Sequence, residues 1–269
     1  MKTNLYEYLA GNEYPGRGLS IGKTPDGKKT MIAYFIMGRS MNSRNRVFDP
    51  IDGGIRTKAA DPSKMTDPHL IIYNPVLTLD GTTIVTNGDQ TNTIYDFLAA
   101  NRHPGYNFEA ALATRTFEDD KPNWTPRISG VLDMRSGGYK ISILKSCDGN
   151  ADSVQRFTFD YPAPPAGEGH FISTYKCNGN PIPSFEGEPL RVAIDEEDPN
   201  EYAGKLWEAL NEDNKVSLFA RVIDLETGES GDMIFNKYDP VCSDLDDPEE
   251  PELLPEELEL LKKLDAEEE

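Results

Sequence analysis

Short apolar runs separated by turn residues recur along most of this chain, and they predict β-hairpins. In residues 19–38, "LSIGKTPDGKKTMIAYFIMG", two such runs flank a Pro-Asp-Gly turn. The runs are rich in β-branched and aromatic residues and alternate only partly with polar ones, which is typical of strands buried on both faces. Three further stretches repeat this arrangement around glycine-containing turns: residues 69–88, 126–146 and 215–238.

Helical periodicity lies between the hairpins. We expect Thr91 or Asn92 to cap the first helix and Asn107 to cap the second, because short polar side chains accept hydrogen bonds from the free N–H groups of a first turn. Hairpins with helices grouped between them predict an α+β fold in which helices cover antiparallel sheets. The helix-like segments are residues 91–102, 107–117 and 199–213.

The charge of the chain is unevenly distributed. The formal net charge is −20, of which residues 244–269 contribute −11, so the preceding part is only mildly acidic. We therefore predict one domain over residues 1–240 and an acidic tail over 241–269. Leucines at helical spacing in the tail predict a short amphipathic helix. Such a tail is either a solvated terminal helix or a segment that binds a partner.

Composition excludes several classes of function. A chain without a basic face is not expected to bind nucleic acid. No apolar run reaches the length of a membrane span, so we expect no membrane association. The three cysteines are odd in number and far apart, which favours a reducing compartment and hence the cytoplasm. The histidines have no metal-site spacing and no phosphate-binding glycine motif is present, so we expect neither a metal nor a cofactor. The histidines are His69, His103 and His170, and the cysteines are Cys147, Cys177 and Cys242.

Four polar segments stand at the ends of predicted strands. Each taken alone is typical of a turn or a helix cap, but together they resemble the rim of a site. Arginine forks bind phosphates or carbonyls, and Tyr and Glu transfer protons. Because Arg39, Arg44 and Arg46 fall within eight residues of an acidic chain, the ligand is expected to be an anion. The segments are "GRSMNSRNR" (38–46), "YNP" (73–75), "NGDQTNT" (87–93) and "FEDDKPNWTPRIS" (117–129).

These segments, together with "YPGRGLSIGKTPDG" and "GHFISTYKCNGNPIPSFEGEP", resemble the archaeal-type IMP cyclohydrolases and their bacterial relatives. They occur in the family's order and cover about residues 14–240. The resemblance implies a four-layer αββα fold similar to the N-terminal-nucleophile hydrolases, without their N-terminal nucleophile. Met1-Lys2 offers no such group. It also implies a homo-oligomer that binds a purine ribonucleotide.

The implied reaction closes the purine ring of 5-formamidoimidazole-4-carboxamide ribotide to give IMP and water. The resemblance places the family's catalytic Arg, Tyr and Glu on Arg44, Tyr73 and Glu118. Arg44 would polarise a carbonyl oxygen or fix the ring, Tyr73 would donate to the developing oxyanion, and Glu118 would accept a proton.

The resemblance also implies the residues that bind the nucleotide. Arg39 is the candidate for the 5′-phosphate, with Arg46 as the alternative. Arg127 either binds the nucleotide or pairs with the carboxylate of Asp119 or Asp120. The remaining candidates for the nucleotide are Asn74, Asn87, Gly88, Asp89, Thr91 and Asn123.

Two alternatives stay open at this point. One is an amide hydrolase or cyclase of the same fold that acts on another ligand. The other is a non-catalytic purine-nucleotide-binding protein, which would bind nucleotide equally well after Glu118→Gln and convert nothing. Fold-level resemblance alone does not separate these functions.

Overall fold

The computed structural model describes residues 2–66, 72–101 and 104–238. The predicted tail over 241–269 lies outside the described residues, as do His69, His103 and Cys242. The helices are α1 Leu5–Ala10, α2 Met41–Arg44, α3 Gln90–Asn101, α4 Pro104–Ala111 and α5 Pro199–Ala209. The strands are β1 Arg17–Lys23, β2 Lys29–Met37, β3 Val47–Ile51, β4 Gly54–Lys58, β5 Val76–Leu79, β6 Thr82–Thr86, β7 Arg127–Asp133, β8 Tyr139–Cys147, β9 Asn150–Tyr161, β10 Glu168–Ser173, β11 Leu190–Ala193, β12 Lys215–Asp224 and β13 Ser230–Asn236.

The strands form two antiparallel sheets. The first has the order β11-β10-β1-β2-β12-β13, and the second has the order β3-β4-β5-β6-β7-β8-β9. The predicted hairpins are confirmed as β1–β2, β5–β6, β7–β8 and β12–β13. The α+β class with antiparallel sheets is therefore confirmed.

Strand β2 explains why its sequence is an almost continuous apolar run. Successive side chains of a strand point to opposite faces of the sheet. Ile32, Tyr34 and Ile36 pack into the core between the two sheets. Met31 and Phe35 lie on the other face, in a core shared with α1 and α5. Both faces of the strand are buried, so no polar alternation remains.

Helices cover the outer face of each sheet. Leu5 and Leu9 of α1 and Leu206 of α5 pack against the first sheet. Ile94 of α3 and Phe108 of α4 pack against the second. The layers therefore run helix, sheet, sheet, helix, as the sequence predicted. The likeness to N-terminal-nucleophile hydrolases stays a prediction.

Two predicted helix caps are wrong. Helix α3 begins at Gln90, so Thr91 lies in its first turn, where its hydroxyl bonds Thr86 Oγ1 and the carbonyl of Gly88. Helix α4 begins at Pro104, so Asn107 lies inside it. Proline is well tolerated in a first helical turn because it lacks the N–H that would be unpaired there.

None of the helices in the described segments combines the length and apolar character that a membrane crossing requires.

Arg221 ties the two sheets together. It is 5% exposed and pairs with Asp232 on the neighbouring strand at 2.7 Å. Its Nη1 also donates to the hydroxyl oxygens of Thr78 and Thr83 in the second sheet, at 2.6 and 3.3 Å. A charged side chain at this depth is tolerated only because acceptors surround it.

His170 lies on β10 and packs against two aromatic rings from the second sheet. Tyr161 stacks on its imidazole with ring centroids 3.7 Å apart, and the Tyr139 hydroxyl lies 2.8 Å from Nδ1. Burial lowers the pKa of His170 to about 4. The ring is therefore neutral at neutral pH.

The four polar segments meet at one end of the sandwich. In the first sheet β1 begins beside the end of β2, because Arg17 pairs with Ile36. In the second sheet β7 begins beside the end of β6, because Thr86 pairs with Ser129. Antiparallel neighbours thus bring segments from distant parts of the sequence to a common edge.

Candidate active site

A cavity of about 260 Å³ opens at this end of the sandwich, between the two sheets. This volume is slightly below the roughly 300 Å³ at which small-molecule sites begin. Three arginines and two acidic residues line it, so the site is polar and carries an excess of cationic groups. The lining residues are Tyr14, Arg17, Arg39, Ser40, Asn42, Ser43, Arg46, Glu118, Asp120, Asn123, Tyr175 and Ile182.

Strand periodicity carries two of the arginines into the cavity. Arg17 begins β1 and shares a face with Leu19 and Ile21, which fill the core between the sheets. Arg46 precedes β3 by one residue and has the parity of Phe48, which packs into the same core. Each arginine therefore continues an inward-facing row past the point where the apolar core ends.

These two guanidinium groups lack acceptors for some of their N–H groups. Arg46 is 1% exposed, and its Nε donates to the carbonyl of Ser43 at 2.9 Å. Nη2 of Arg46 and Nε of Arg17 are buried and have no hydrogen-bond partner within the described part of the chain. A buried charged donor without an acceptor costs at least about 1–3 kcal/mol. An anionic or carbonyl oxygen in the cavity would remove that cost.

The charges in the cavity act on one another. Burial, reinforced by the nearby Arg17 charge, lowers the pKa of Arg46. Burial is the largest influence on Arg17 and opposes its charge, but Glu118 together with the nearby tyrosines outweighs it, and the pKa of Arg17 is raised. Nη2 of Arg17 lies 4.0 Å from Oε2 of Glu118. One buried carboxylate thus faces two buried cations, so a negative charge on a ligand would balance the charge of these buried groups.

Glu118 is the carboxylate suited to proton transfer. It is 5% exposed, and burial raises its pKa although Arg17 and Arg127 act in the opposite direction. Its backbone N–H donates to the carbonyl of Thr125 at 2.9 Å, which closes the loop that presents it. A carboxyl group with a raised pKa exchanges protons more readily near neutral pH.

Tyr73 lies beside this cavity, not on its lining surface. It is 7% exposed, and its hydroxyl is 3.0 Å from the hydroxyl of Tyr34, which is fully buried on β2. Burial raises the pKa of Tyr73, whereas the Arg46 and Arg17 charges lower it. Both tyrosines are therefore protonated at neutral pH and can act only as hydrogen-bond donors or neutral acceptors.

Tyr14 and Tyr175 form an aromatic wall of the cavity. Their rings stack with centroids 5.8 Å apart, and the Arg39 guanidinium lies 5.0 Å from the centroid of Tyr14. Arg39 also donates to Asn178 Oδ1 and to the carbonyl of Gly179. It therefore stands at the mouth, with its charge partly exposed.

The loop that carries Glu118 reaches this wall. The Thr125 hydroxyl lies 2.5 Å from the Tyr175 hydroxyl, and it also donates to Oδ2 of Asp120. Trp124 in the same loop adopts a φ of 46° and packs edge-on against Phe117, with ring centroids 5.9 Å apart. The loop is thus fixed on both sides of Asp120.

Arg44, the arginine predicted to be catalytic, does not line the cavity. Its Nε donates to the carbonyl of Gly38 and its Nη2 to Oδ1 of Asn214, at 2.9 and 3.1 Å. Arg46, two residues later, occupies the place beside Tyr73 and Arg17. A direct role for Arg44 in the reaction stays a prediction.

Most of the residues of "NGDQT" face the protein instead of the cavity. Asn87 is 1% exposed, and its side chain makes four hydrogen bonds within the protein. Asp89 pairs with Arg127 at 2.7 Å, so Arg127 does not pair with Asp119 or Asp120 as the sequence had allowed. Nucleotide contacts by these residues remain predictions.

Two further candidates differ in position. Asn123 lines the cavity and accepts a hydrogen bond from the Ile182 N–H at 3.4 Å. Asn74 is half-buried, and its amide donates to Oδ1 of Asn92 at 3.2 Å. Of this pair, only Asn123 is placed to contact a ligand in the cavity.

Sequence reasoning missed Arg17 and the aromatic wall. The alternation of Arg17 with Leu19 and Ile21 is a signal that could have placed Arg17 on an inward face. No comparable signal exists for Tyr175, because it reaches the site only through the pairing of β10 with β1. Among residues 2–66, 72–101 and 104–238, no three His, Cys, Asp or Glu side chains are grouped to hold a metal ion.

Comparison with known proteins finds a matching family and several relatives. A family model described as "IMP cyclohydrolase-like protein" matches residues 14–229, a range that contains every residue lining the cavity. A relative from Methanosphaera stadtmanae named IMP cyclohydrolase is 30% identical over 170 residues, 61% of this chain and 75% of the relative. Relatives of the same name from Methanococcus aeolicus and Methanopyrus kandleri are each 28% identical. Their matches cover 70% of this chain in both cases, and 84% and 85% of the relatives.

Proposed function

The chain belongs to the family of IMP cyclohydrolase-like proteins, and on that premise we propose that it is an IMP cyclohydrolase. Its substrate would be 5-formamidoimidazole-4-carboxamide ribotide, and its products IMP and water. The observation that supports this most strongly is the pairing of two buried, incompletely hydrogen-bonded guanidinium groups with one buried carboxylate. That set can bind carbonyl oxygens and move a proton.

The chemistry has two parts. The carboxamide nitrogen attacks the formyl carbon, a C–N bond forms, and the formyl oxygen takes up a proton to become a hydroxyl group. That hydroxyl then leaves as water, together with a proton from the former formamide nitrogen, and a C=N bond forms. An amide nitrogen is a poor nucleophile, so holding it against the formyl carbon is a large share of the task.

The residues of the cavity fit these requirements. In our proposal Arg46 and Arg17 donate to the substrate oxygens and stabilise the charge that develops on them. Glu118 accepts the proton of the attacking nitrogen and delivers one to the leaving hydroxyl. Tyr73, next to Arg46, donates a hydrogen bond to the oxygen on which charge develops. Arg39 at the mouth is the candidate for binding the 5′-phosphate.

The test is conversion of the formylated ribotide to IMP by the purified chain. Glu118→Gln and Arg46→Ala should each lower kcat/KM by at least about 100-fold, which corresponds to about 3 kcal/mol of transition-state stabilisation. Arg44→Ala is the matched control, because it removes the same group two residues away and outside the cavity. If Arg46 is the catalytic arginine, as we propose, Arg44→Ala should retain activity within about threefold of the parent.

The outcomes separate the alternatives. No conversion above the spontaneous rate by folded protein would refute the proposal. Binding of IMP without turnover would indicate a nucleotide-binding protein. A larger loss with Arg44→Ala than with Arg46→Ala would restore Arg44 as the catalytic arginine.

A further inference from the structure

The amide group of Asn87 has one possible orientation. Its Oδ1 accepts from the backbone N–H of Ile128 at 2.8 Å and from Nε2 of Gln90 at 3.0 Å. Its Nδ2 donates to the carbonyl of Pro126 at 2.9 Å. Rotating the amide by 180° would set an NH₂ group against a backbone N–H and an oxygen against a carbonyl. Nδ2 must therefore point to the remaining neighbour, Glu118.

That neighbour contact distinguishes the two oxygens of Glu118. Nδ2 of Asn87 donates to Oε1 at 3.3 Å, whereas Oε2 lies toward Arg17 and the cavity. Protonation of Oε1 would weaken the hydrogen bond from Asn87, because a hydroxyl oxygen is a poorer acceptor than a carboxylate oxygen and the amide cannot turn to accept the new proton. Oε2 carries no such donor and is the oxygen free to take a proton.

We propose that Asn87 is a positioning residue that reserves Oε2 of Glu118 as the atom that accepts and returns the proton. This inference rests on the proposed ring closure. Asn87 would act through Glu118 without touching the substrate. It gives Asn87 a role other than the predicted contact with the nucleotide, because all four hydrogen-bonding positions of its side-chain amide are used inside the protein.

A chain of hydrogen bonds holds Asn87 from behind. Gln90 donates to Asn87, and its Oε1 accepts from Nη1 of Arg127 at 2.7 Å. Arg127 in turn pairs with Asp89 at 2.7 Å. A Cβ on Gly88 would lie 2.4 Å from Nη1 of Arg127 and 2.7 Å from Oε1 of Gln90. Glycine at this position leaves the space in which Arg127 and Gln90 form their hydrogen bond.

The other ionisable groups facing Glu118 do not replace this contact. They come from β1, from the segment before β3, from β7, from its own loop and from the segment before β5. Among the described residues, Asn87 is the hydrogen-bonding partner of the Glu118 carboxylate. The facing groups are Arg17, Arg46, Arg127, Asp120 and Tyr73.

The first experiment follows the carboxyl group of Glu118 by ¹³C NMR, with the resonance assigned by its loss in Glu118→Gln. Asn87→Asp places a second carboxylate against Oε1 and should raise the titration midpoint of Glu118 by about one pH unit or more. Asn87→Ala removes the donor without adding charge and should raise the midpoint less. Asn74→Asp makes the same chemical change at an amide that bonds Asn92 and not Glu118, and it should leave the midpoint unchanged.

A second measurement needs no change at Asn87. In the parent protein the side-chain NH₂ resonances of Asn87 should titrate with the midpoint of Glu118, and Glu118→Gln should abolish that titration. Resonances that do not titrate, or an unchanged Glu118 midpoint in a folded Asn87 variant, would overturn the inference. Because neither readout uses turnover, coupling between the two residues without conversion of the ribotide would refute the ring closure alone.

Discussion

Arg46 should weaken the unliganded protein and strengthen its complex, and Arg46→Met separates the two effects. The guanidinium is buried, Nη2 has no acceptor in the described structure, and Arg17 repels it. Replacing a buried ion pair by apolar side chains of similar volume is often neutral or stabilising by about 1–4 kcal/mol, and Arg46 has no ion-pair partner in the described structure that its loss would leave behind. We therefore expect Arg46→Met to keep or raise the free energy of unfolding.

The same change should weaken ligand binding. A hydrogen bond to a charged group contributes about 1.5–3 kcal/mol, and a factor of ten in Kd corresponds to about 1.4 kcal/mol. Losing one such bond to IMP should therefore raise Kd by about 10- to 150-fold. Urea denaturation would give the stability, and isothermal titration calorimetry would give Kd.

Arg44→Met is the matched control, with the opposite pattern. Its guanidinium has protein acceptors at both Nε and Nη2, so its loss should cost about 1–2 kcal/mol of stability. Its Kd for IMP should stay within about twofold. Loss of 2 kcal/mol or more in Arg46→Met, or unchanged IMP binding by that variant, would refute the reasoning.

Three further predictions concern stability. Arg221→Met should cost about 2 kcal/mol because Asp232 loses its partner, whereas Arg56→Met, in an exposed ion pair, should change stability by less than about 1 kcal/mol; equal effects in urea would contradict this. Gly88→Ala should cost about 1–3 kcal/mol through the clash described above, and Gly204→Ala in α5, where a Cβ meets nothing within 4 Å, should be neutral or stabilising. The pKa of His170 is lowered to about 4, so its protonation favours unfolding as pH falls below about 6.5. Between pH 7 and 4.5, His170→Gln should therefore lose about 1–2 kcal/mol less stability than the parent in urea titrations, and equal losses would rule out this role for the ring.

The hairpins could be predicted because their information is local. A glycine turn between two apolar runs fixes the partner strand, and the register of β1 with β2 follows from that turn. The pairing of β10 with β1 joins residues about 150 positions apart, and neither strand carries a local sequence signal that identifies its partner. The first helix cap failed for another reason: Thr91 lies in the first turn of α3, and its hydroxyl bonds Thr86 and Gly88, which precede the helix. The predicted cap, Thr91 or Asn92, therefore falls two or three residues too late.

The candidate site shows the same division between local and distant information. The segments that contain Glu118 and Tyr73 could be identified from the sequence because each is a polar stretch next to a predicted apolar strand. Choosing between Arg44 and Arg46 required knowing that α2 ends at Arg44 and that β3 begins at Val47, because only Arg46 continues the inward-facing row of β3. The role of "NGDQT" could not be predicted, because its hydrogen bonds run to Glu118, Arg127 and Ile128, which lie 31, 37 and 41 positions away along the chain.

The packing of Trp124 against Phe117 gives the protein a built-in optical probe. The chain has two tryptophans, and Trp207 lies on α5, on the far side of the first sheet from the cavity. Trp124 shares a loop with Glu118 and Asp120, so a ligand that settles between them changes the surroundings of one indole and leaves the other alone. In a Trp207→Phe background, the fluorescence of Trp124 would therefore report occupancy of the cavity directly. The measurement requires only a ligand such as IMP and no synthesised substrate.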